Sequence, residues 1–154
     1  MHSRLFQISD QPVYEDDFTS EYDYYDGFVG GIADSIRKEA GYDRRQGIKE
    51  LRNLLQGAAE VDVKNGRIKI IDKMKYFEPM FRQFKKHLAS VNGMSLEDFA
   101  GANIYHANKM FDAFVRRYEF YVDWGGMYET LDELMREVQN GDKLYVGAVF
   151  DYHW

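Results

Sequence analysis

The sequence of 154 residues predicts an α+β fold, in which a small, mostly antiparallel sheet is covered by about five helices. Three observations support this fold class. An Asn65-Gly66 turn signal separates two short apolar alternations, a longer alternation runs to the last residue, and apolar residues between them recur at helical spacing. No internal repeat and no linker rich in Pro, Ser or Gly divides residues 1–154, so we expect a single globular α+β domain.

An N-terminal strand is predicted over residues 5–8, with Phe6 and Ile8 on one face. Residues 10–27 follow, with seven acidic residues, no basic residue and five aromatic residues. They have neither the period of a strand nor that of a helix, so we expect a long loop rich in acidic residues and Tyr. We call residues 10–27 the acidic segment.

Two helices are predicted next, because apolar residues recur at helical spacings ahead of glycines that can close a helix. The first is defined by Phe28, Ile32, Ile36 and the closing Gly41. The second begins at Asp43, where Gln46 completes a capping-box pattern. It ends at Gly57 and turns three apolar residues inward: Ile48, Leu51 and Leu55. The short link between the two helices predicts a helical hairpin.

The clearest local signal is a β-hairpin over residues 60–71. Asn65-Gly66 is the preferred two-residue hairpin turn, because both of its positions need positive φ. Pairing about this turn places Val63 opposite Ile68, with the other apolar residues of the two strands on the same face. We therefore expect this hairpin to form part of the sheet.

Helices are predicted over much of residues 74–115. One apolar stripe at spacings of three and four comprises Met74, Phe77, Phe81, Phe84, Leu88 and Val91. Because Pro79 inside a helix would cost about 3 kcal/mol, the regular helix should start near that residue. Another helix begins at Ser95, whose capping-box partner is Asp98. It should break near Gly101 and resume with four inward residues: Ile104, Phe111, Phe114 and Val115.

The C-terminal part of the chain predicts a strand, a helix and a second strand. The first strand alternates through Tyr118, Phe120, Val122 and Trp124 and ends at Gly125-Gly126. A capping box at Thr130 and Glu133 begins the helix, which ends near Asn140-Gly141. The final strand has one apolar face: Leu144, Val146, Ala148, Phe150, Tyr152 and Trp154. A link of about 17 residues permits either parallel or antiparallel pairing of these two strands.

Composition and charge exclude several classes of protein. The chain has no Cys, which excludes disulfides, thiol catalysis and Cys-type zinc sites. Residues 5–9, the apolar run near the N-terminus, fall far short of the roughly 20 residues that span a bilayer, so we expect a soluble cytoplasmic protein without membrane partners. The net charge of −6 conceals three blocks, with −7 over residues 1–36, +7 over 37–117 and −6 over 118–154.

Motifs for catalysis and cofactors are absent from the sequence. Gly27, Gly30 and Gly31 lack the Lys-Ser/Thr of a P-loop and follow an acidic stretch rather than a strand. The four histidines show no His-x-x-x-His pairing, and the acidic residues near Gly27 lack the order of a calcium loop. No Gly-x-Ser-x-Gly elbow occurs. The sequence therefore predicts no catalytic residue, no metal site and no cofactor.

The acidic segment is the main functional candidate. Tyr and Phe offer large contact area at low entropic cost, and the carboxylates between them can meet a basic groove. The sequence thus predicts a non-enzymatic interaction domain that docks a basic partner protein or self-associates. Its expected contact residues are Asp16, Asp17, Phe18, Glu21, Tyr22, Asp23, Tyr24 and Tyr25. The opposite interpretation, in which the tyrosines pack on the domain and the acids are solvated, stays open.

Two alternatives remain. One is an enzyme whose site is assembled from residues distant in sequence, without a motif. The other is nucleic-acid binding through basic helix faces, although a pI of about 5.2 makes nucleic acid an improbable partner. The basic residues concerned are Arg45, Lys49, Arg52, Arg82, Lys85 and Lys86.

Overall fold

A computed structural model describes residues 1–114, 116 and 119–154. Over these residues it contains five α-helices, two short 3-10 helices and one seven-stranded, mostly antiparallel sheet. The α+β class is therefore confirmed, and the sheet is larger than predicted. The chain divides into two compact units, which we call the sheet unit (residues 1–76 and 118–154) and the helical unit (residues 77–117).

The elements follow one another in an order that mixes strands and helices. The strands are β1 His2–Ser9, β2 Ser35–Glu39, β3 Ala59–Asp62, β4 Arg67–Ile70, β5 Phe120–Trp124, β6 Met127–Thr130 and β7 Lys143–His153. The helices are α1 Gly41–Leu54, α2 Lys73–Asn92, α3 Leu96–Ala100, α4 Tyr105–Asp112 and α5 Leu131–Glu137. The 3-10 helices are Glu15–Asp17 and Glu21–Tyr24.

Strand β7 organises the sheet, because it is long enough to pair with three other strands. One edge of β7 pairs antiparallel with β1. Its other edge is shared by β4, which pairs with residues 143–145, and β2, which pairs with residues 149–153. Strand β5 lies on the far side of β1 and runs parallel to it. The two C-terminal strands therefore flank β1 and do not pair with each other.

The predicted helix through Phe28 and Ile36 is wrong. Gly27 and Gly30 have φ of +126° and +87°, so the chain forms turns there instead of a helix. From Ser35 it continues as β2, which satisfies the backbone groups along the C-terminal half of β7. The predicted helical hairpin is wrong for the same reason, since only its second helix, α1, exists. Helix α1 begins at Gly41, two residues before the predicted Asp43.

The predicted β-hairpin is confirmed, but its register differs by two residues. Val61, not Val63, lies opposite Ile68, and a four-residue loop joins Asp62 to Arg67. Asp62 explains the longer loop, because its carboxylate accepts hydrogen bonds from the backbone and the side chain of Asn65. These bonds lower the pKa of Asp62 below its usual value.

Glycine is required at Gly66, in the loop of this hairpin. Its φ is +64°, and an added Cβ would come within 2.9 Å of the Val146 carbonyl oxygen. The Gly66 carbonyl accepts a hydrogen bond of 2.7 Å from the Val146 amide. The loop is therefore held directly against β7.

Helix α2 runs through Pro79 instead of starting near it. Its first turn is held by contacts within the sheet unit. The Tyr76 hydroxyl donates to Asp132 at 2.6 Å, and the Lys73 ammonium donates to the Val138 carbonyl at 2.7 Å. Asp72 accepts from the Met74 amide at 3.1 Å. We infer that these contacts offset the proline cost of about 3 kcal/mol and allow the earlier start.

The core of the sheet unit lies on both faces of the central strands. One face carries a cluster that the acidic segment and the turns after it cover: Leu5, Tyr24, Phe28, Ala33, Ile36, Tyr121, Ala148, Phe150 and Tyr152. Helix α1 packs on β7, and its predicted inward residues are confirmed as fully buried: Ile48, Leu51 and, just beyond its end, Leu55. The acidic segment, predicted as a long loop, contains two short 3-10 helices, and these and the following turns cover part of the sheet that we expected longer helices to cover.

The helical unit contains helices at the predicted places, and its capping box at Ser95 is confirmed. The predicted capping box at Thr130, in the sheet unit, is also confirmed. The inward orientation predicted for its apolar residues is wrong for several of them. Large apolar side chains are exposed there: Phe81, Leu96, Phe99, Ile104, Tyr105, Phe111 and Phe114. The predictions for Val115 and Tyr118 lie outside the described residues.

Candidate functional site

The acidic segment is anchored to the sheet by the side chain of Gln7. Its Oε1 atom accepts hydrogen bonds from the Thr19 amide at 3.1 Å and the Ala148 amide at 2.9 Å. Its Nε2 atom donates to the Asp17 carbonyl at 3.1 Å. Gly147 leaves room for this amide, because an added Cβ at that position would clash with Gln7 Oε1. One side chain of β1 therefore holds two points of the segment against β7.

Tyr24 is the second anchor. It is only 1% exposed and packs edge-on against the ring of Phe150, with centroids 4.8 Å apart. Its hydroxyl donates to Asp123 Oδ2 at 2.8 Å and lies 2.8 Å from Thr19 Oγ1. Burial, together with the charge of Asp123, raises the pKa of Tyr24 far above its usual value. Tyr24 thus fastens the segment to the core.

Phe18 is the third anchor and is half-buried. The Arg44 guanidinium lies 4.9 Å from its ring centroid, and the Lys38 ammonium lies 5.6 Å away. Arg44 also donates to the Val146 carbonyl at 2.7 Å and the Gly147 carbonyl at 2.9 Å. Burial lowers the pKa of Arg44, and the charge of Glu15 opposes that shift. Two cations near the acidic segment are therefore engaged with an aromatic ring.

The outer surface of the segment consists of tyrosines and carboxylates. Tyr22 is 76% exposed and Tyr25 is 51% exposed, and their rings stack with centroids 6.1 Å apart. Asp16 and Asp17 are exposed, and in residues 1–114, 116 and 119–154 neither forms an ion pair with a Lys or Arg side chain. These four residues form what we call the acidic-aromatic surface.

Two other expected contact residues have structural roles. Glu21 accepts a hydrogen bond from the Lys38 amide at 3.1 Å, which joins the segment to β2. Asp23 accepts from the Ser20 amide at 2.7 Å and caps the second 3-10 helix. The eight expected residues thus divide into anchors and exposed groups. The sequence alone does not show which tyrosine of the segment is buried. Burial of Tyr24 depends on the positions of β5 and β7.

The basic residues expected for nucleic-acid binding are all exposed. Arg45, Lys49 and Arg52 lie on α1 in the sheet unit. The other three lie on α2 in the helical unit, where Arg82 pairs with Glu78 at 3.8 Å: Arg82, Lys85 and Lys86. They therefore belong to two separate helix faces.

A charged cavity that the sequence did not reveal lies on the sheet unit. It has a volume of about 390 Å³ and is lined by residues from both ends and the middle of the chain, including Arg4, Glu50 and Asp151. Arg4 donates to Glu50 at 3.0 Å and lies 3.6 Å from Asp151. Burial alone would lower the pKa of Arg4, but the contact with Glu50 and the charge of Asp151 raise it. The register of β1 against β7 puts Arg4 directly opposite Asp151, and nothing in either local sequence indicates that pairing.

His2 also lines this cavity and contacts Asp151, with 2.9 Å between its Nδ1 atom and the carboxylate. A carboxylate that holds one imidazole nitrogen leaves the other free to accept a proton, which is the arrangement of a general base. The geometry can thus support abstraction of a proton from a small molecule in the cavity.

Neither a metal cluster nor a membrane span is found in the described part of the chain. No group of three or more His, Asp or Glu side chains has metal-binding geometry there. None of the helices formed by these residues is both long enough and apolar enough to cross a membrane. Comparison with protein-family models, curated proteins and solved structures found no match.

Proposed function

We propose that this chain is a non-enzymatic interaction domain that docks a basic partner protein through the acidic-aromatic surface. The observation that carries the proposal is the combination of firm anchoring and exposure within one segment. Gln7, Tyr24 and Phe18 hold the backbone, while Tyr22 and Tyr25 remain in solvent. A cytoplasmic location is part of the proposal, since the chain has no Cys for the disulfides common in small secreted domains.

Anchoring matters because binding must offset the entropy lost when a loop becomes ordered. Immobilising a flexible side chain at an interface costs about 0.5–1.5 kcal/mol, and ordering a loop adds to that cost. A segment that is already held in place avoids much of this loss. Stacked tyrosines then offer contact area with few rotatable bonds, which is why Tyr is common among residues that dominate binding energy.

Charge favours a basic partner over a neutral one. The sheet unit carries a formal charge of −8, whereas the helical unit carries +2. Asp16 and Asp17 have no cationic side chain of the described residues paired with them, so their field is directed to solvent. Such a field accelerates encounter with a protein of opposite charge and disfavours acidic proteins.

The main experiment removes the exposed groups and keeps the anchors. The test variant combines Asp16→Asn, Asp17→Asn, Tyr22→Ser and Tyr25→Ser, and the control combines Tyr42→Ser and Glu60→Gln at exposed positions elsewhere. Proteins captured from the native cell by the wild type are identified by mass spectrometry, and Kd is measured for the purified captured protein. We expect a basic protein whose Kd rises at least tenfold with the test variant and is unchanged with the control.

Two outcomes would contradict the proposal. Capture profiles that are identical for the wild type and the test variant would remove the acidic-aromatic surface from consideration. The second outcome combines three results: light scattering shows a dimeric wild type and a monomeric test variant, and no basic protein is captured. In that case the partner of the acidic-aromatic surface is a second copy of the chain.

A variant of Gln7 tests whether binding needs the segment to be anchored. Gln7→Ala removes two hydrogen bonds to the segment and one to β7 but changes none of the exposed groups. We expect this variant to keep the circular dichroism spectrum of the wild type and to bind the partner several-fold more weakly. Affinity equal to that of the wild type would show that the segment does not need to be held in advance.

A second candidate function is an enzyme that uses the charged cavity, favoured by the contact between His2 and Asp151 beside Arg4. The test incubates the protein with a small-molecule extract of the native cell and follows which compounds are consumed. His2→Asn is the informative variant, because this exposed side chain can be replaced without disturbing the core. Consumption by the wild type and not by the variant would favour an enzyme. No consumption by either protein would reject it.

A further inference from the structure

Two histidines that are distant in sequence meet in the helical unit. His87 lies on α2 and His106 lies on α4, and their Nδ1 atoms are 3.0 Å apart. Their rings are tilted by 36°, with centroids 5.3 Å apart. Both side chains are half-buried. The sequence offered no spacing that would indicate this pair, because the fold of the helices brings it together.

The two nitrogens lie at hydrogen-bonding distance, and the same separation matches that of neighbouring ligands on one metal ion. Imidazole nitrogens bind first-row divalent metals at about 2.0–2.1 Å. Two ligands at that distance are about 2.9 Å apart at a right angle and about 3.4 Å apart at a tetrahedral angle, by geometry from the same bond length. The observed 3.0 Å is closer to the right angle. Right angles are typical of Cu²⁺ and Ni²⁺ sites with nitrogen and oxygen ligands.

Two lysines carry positive charge near the pair, Lys86 and Lys109. Burial lowers the pKa of His87, and the nearby charges of His106, Lys86 and Lys109 lower it further. The same positive charges oppose a bound cation. Lys109 is paired with Asp112 at 3.4 Å, which reduces its repulsion of a cation.

The ring of Tyr105 restricts the orientation of the pair. It packs edge-on against His106, with centroids 5.1 Å apart, and against His87, with centroids 6.3 Å apart. The other histidine pair, His2 and His153, differs because carboxylates contact its ring nitrogens: Asp151 contacts His2, and Asp34 contacts His153. Among the described residues, only the first pair brings two Nδ1 atoms within 3.0 Å of each other.

We propose that His87 and His106 bind one divalent transition-metal ion, Cu²⁺ or Ni²⁺, through their Nδ1 atoms, with water in the remaining positions. The ion would join α2 to α4. Neither α3 nor α4 buries a residue fully, so the helical unit has little core of its own and gains from such a link. A metal that binds the folded form stabilises it by mass action. This site is independent of the acidic-aromatic surface.

The test measures Ni²⁺ and Cu²⁺ binding to the full chain without a histidine tag. Titration calorimetry should give one ion per chain, and the Cu²⁺ complex should show electron-paramagnetic coupling to two imidazole nitrogens. His87→Asn and His106→Asn should each weaken binding at least tenfold. The matched control is the double variant His2→Asn and His153→Asn, which removes the other pair and should bind as tightly as the wild type.

A second measurement uses only the wild type, so its result does not depend on whether the variants fold. Ni²⁺ added to the wild type should slow amide exchange in α2 and α4 and leave β1 and β7 unchanged. Binding that persists in both His87→Asn and His106→Asn would identify an adventitious ion only and overturn the proposal. Absence of binding at 1 mM metal, or binding lost in the control variant alone, would overturn it as well.

Discussion

The sheet unit and the helical unit use similar apolar patterns in different ways. In the sheet unit, Ile48 and Leu51 on α1 are fully buried against β7 and its neighbours. In the helical unit, Phe81 on α2 is 61% exposed, and Phe111 on α4 is also exposed. Both sets recur at helical spacing. The difference shows that periodicity identifies the apolar face of a helix but not whether the chain provides a surface to cover it.

The largest expected difference between the units concerns side-chain truncation. Phe150→Ala in the sheet unit should lower the free energy of unfolding by about 3–5 kcal/mol, because Phe150 is fully buried and leaves a cavity. Phe81→Ala in the helical unit should change it by less than about 0.5 kcal/mol. Urea denaturation followed by circular dichroism measures both. Equal losses would mean that Phe81 is covered in solution and that the two units do not differ in this way.

The next effect concerns the anchor of the acidic segment in the sheet unit. Tyr24→Phe removes the donor to the buried Asp123 carboxylate and should cost about 1–3 kcal/mol. Tyr22→Phe, in the same segment but exposed, should cost less than about 0.5 kcal/mol. The same denaturation assay compares them. If Tyr24→Phe leaves the free energy of unfolding unchanged, then Asp123 accepts sufficient hydrogen bonds from water or from the Gly126 amide.

Alkaline pH should weaken the sheet unit through its buried tyrosines. Burial raises the pKa of Tyr152 to about 12, and it also raises that of Tyr24. Because the unfolded chain loses these protons near pH 10 and the folded chain loses them later, stability is intact below pH 10 and falls as pH rises toward 12. Ultraviolet absorption of phenolate, recorded with circular dichroism, follows this loss. Tyr152→Phe should make the fall shallower, and an unchanged profile would contradict the assignment.

The smallest effect concerns the two basic helix faces. Reversing Arg45, Lys49 and Arg52 to Glu on α1 should change stability by less than about 0.5 kcal/mol, since all three side chains are exposed. Reversing the basic residues on α2 provides the matched variant: Arg82, Lys85 and Lys86. We expect no salt-dependent gel shift of duplex DNA by the wild type. A shift that one of these variants abolishes would favour nucleic-acid binding and would locate it in one unit.

Local sequence was informative where neighbouring residues decide the outcome. The capping boxes at Ser95 and Thr130 depend on residues three positions apart, and both are present. The hairpin followed from its turn signal, although the carboxylate of Asp62 lengthened the loop and moved the register by two residues. The helix predicted through Phe28 and Ile36 does not form, because Gly27 and Gly30 adopt positive φ and the chain turns there. The residues from Ser35 onward pair instead with the edge of β7 as β2.

The sequence by itself determined the α+β class, the long terminal strand and the absence of cysteine chemistry. Tertiary structure alone decided that Tyr24 is buried while Tyr22 is exposed, that Arg4 faces Asp151, and that His87 meets His106. The physical reason is the range of the interactions. Caps, turns and periodicity act over a few residues, whereas burial and charge pairing depend on which distant strands and helices become neighbours.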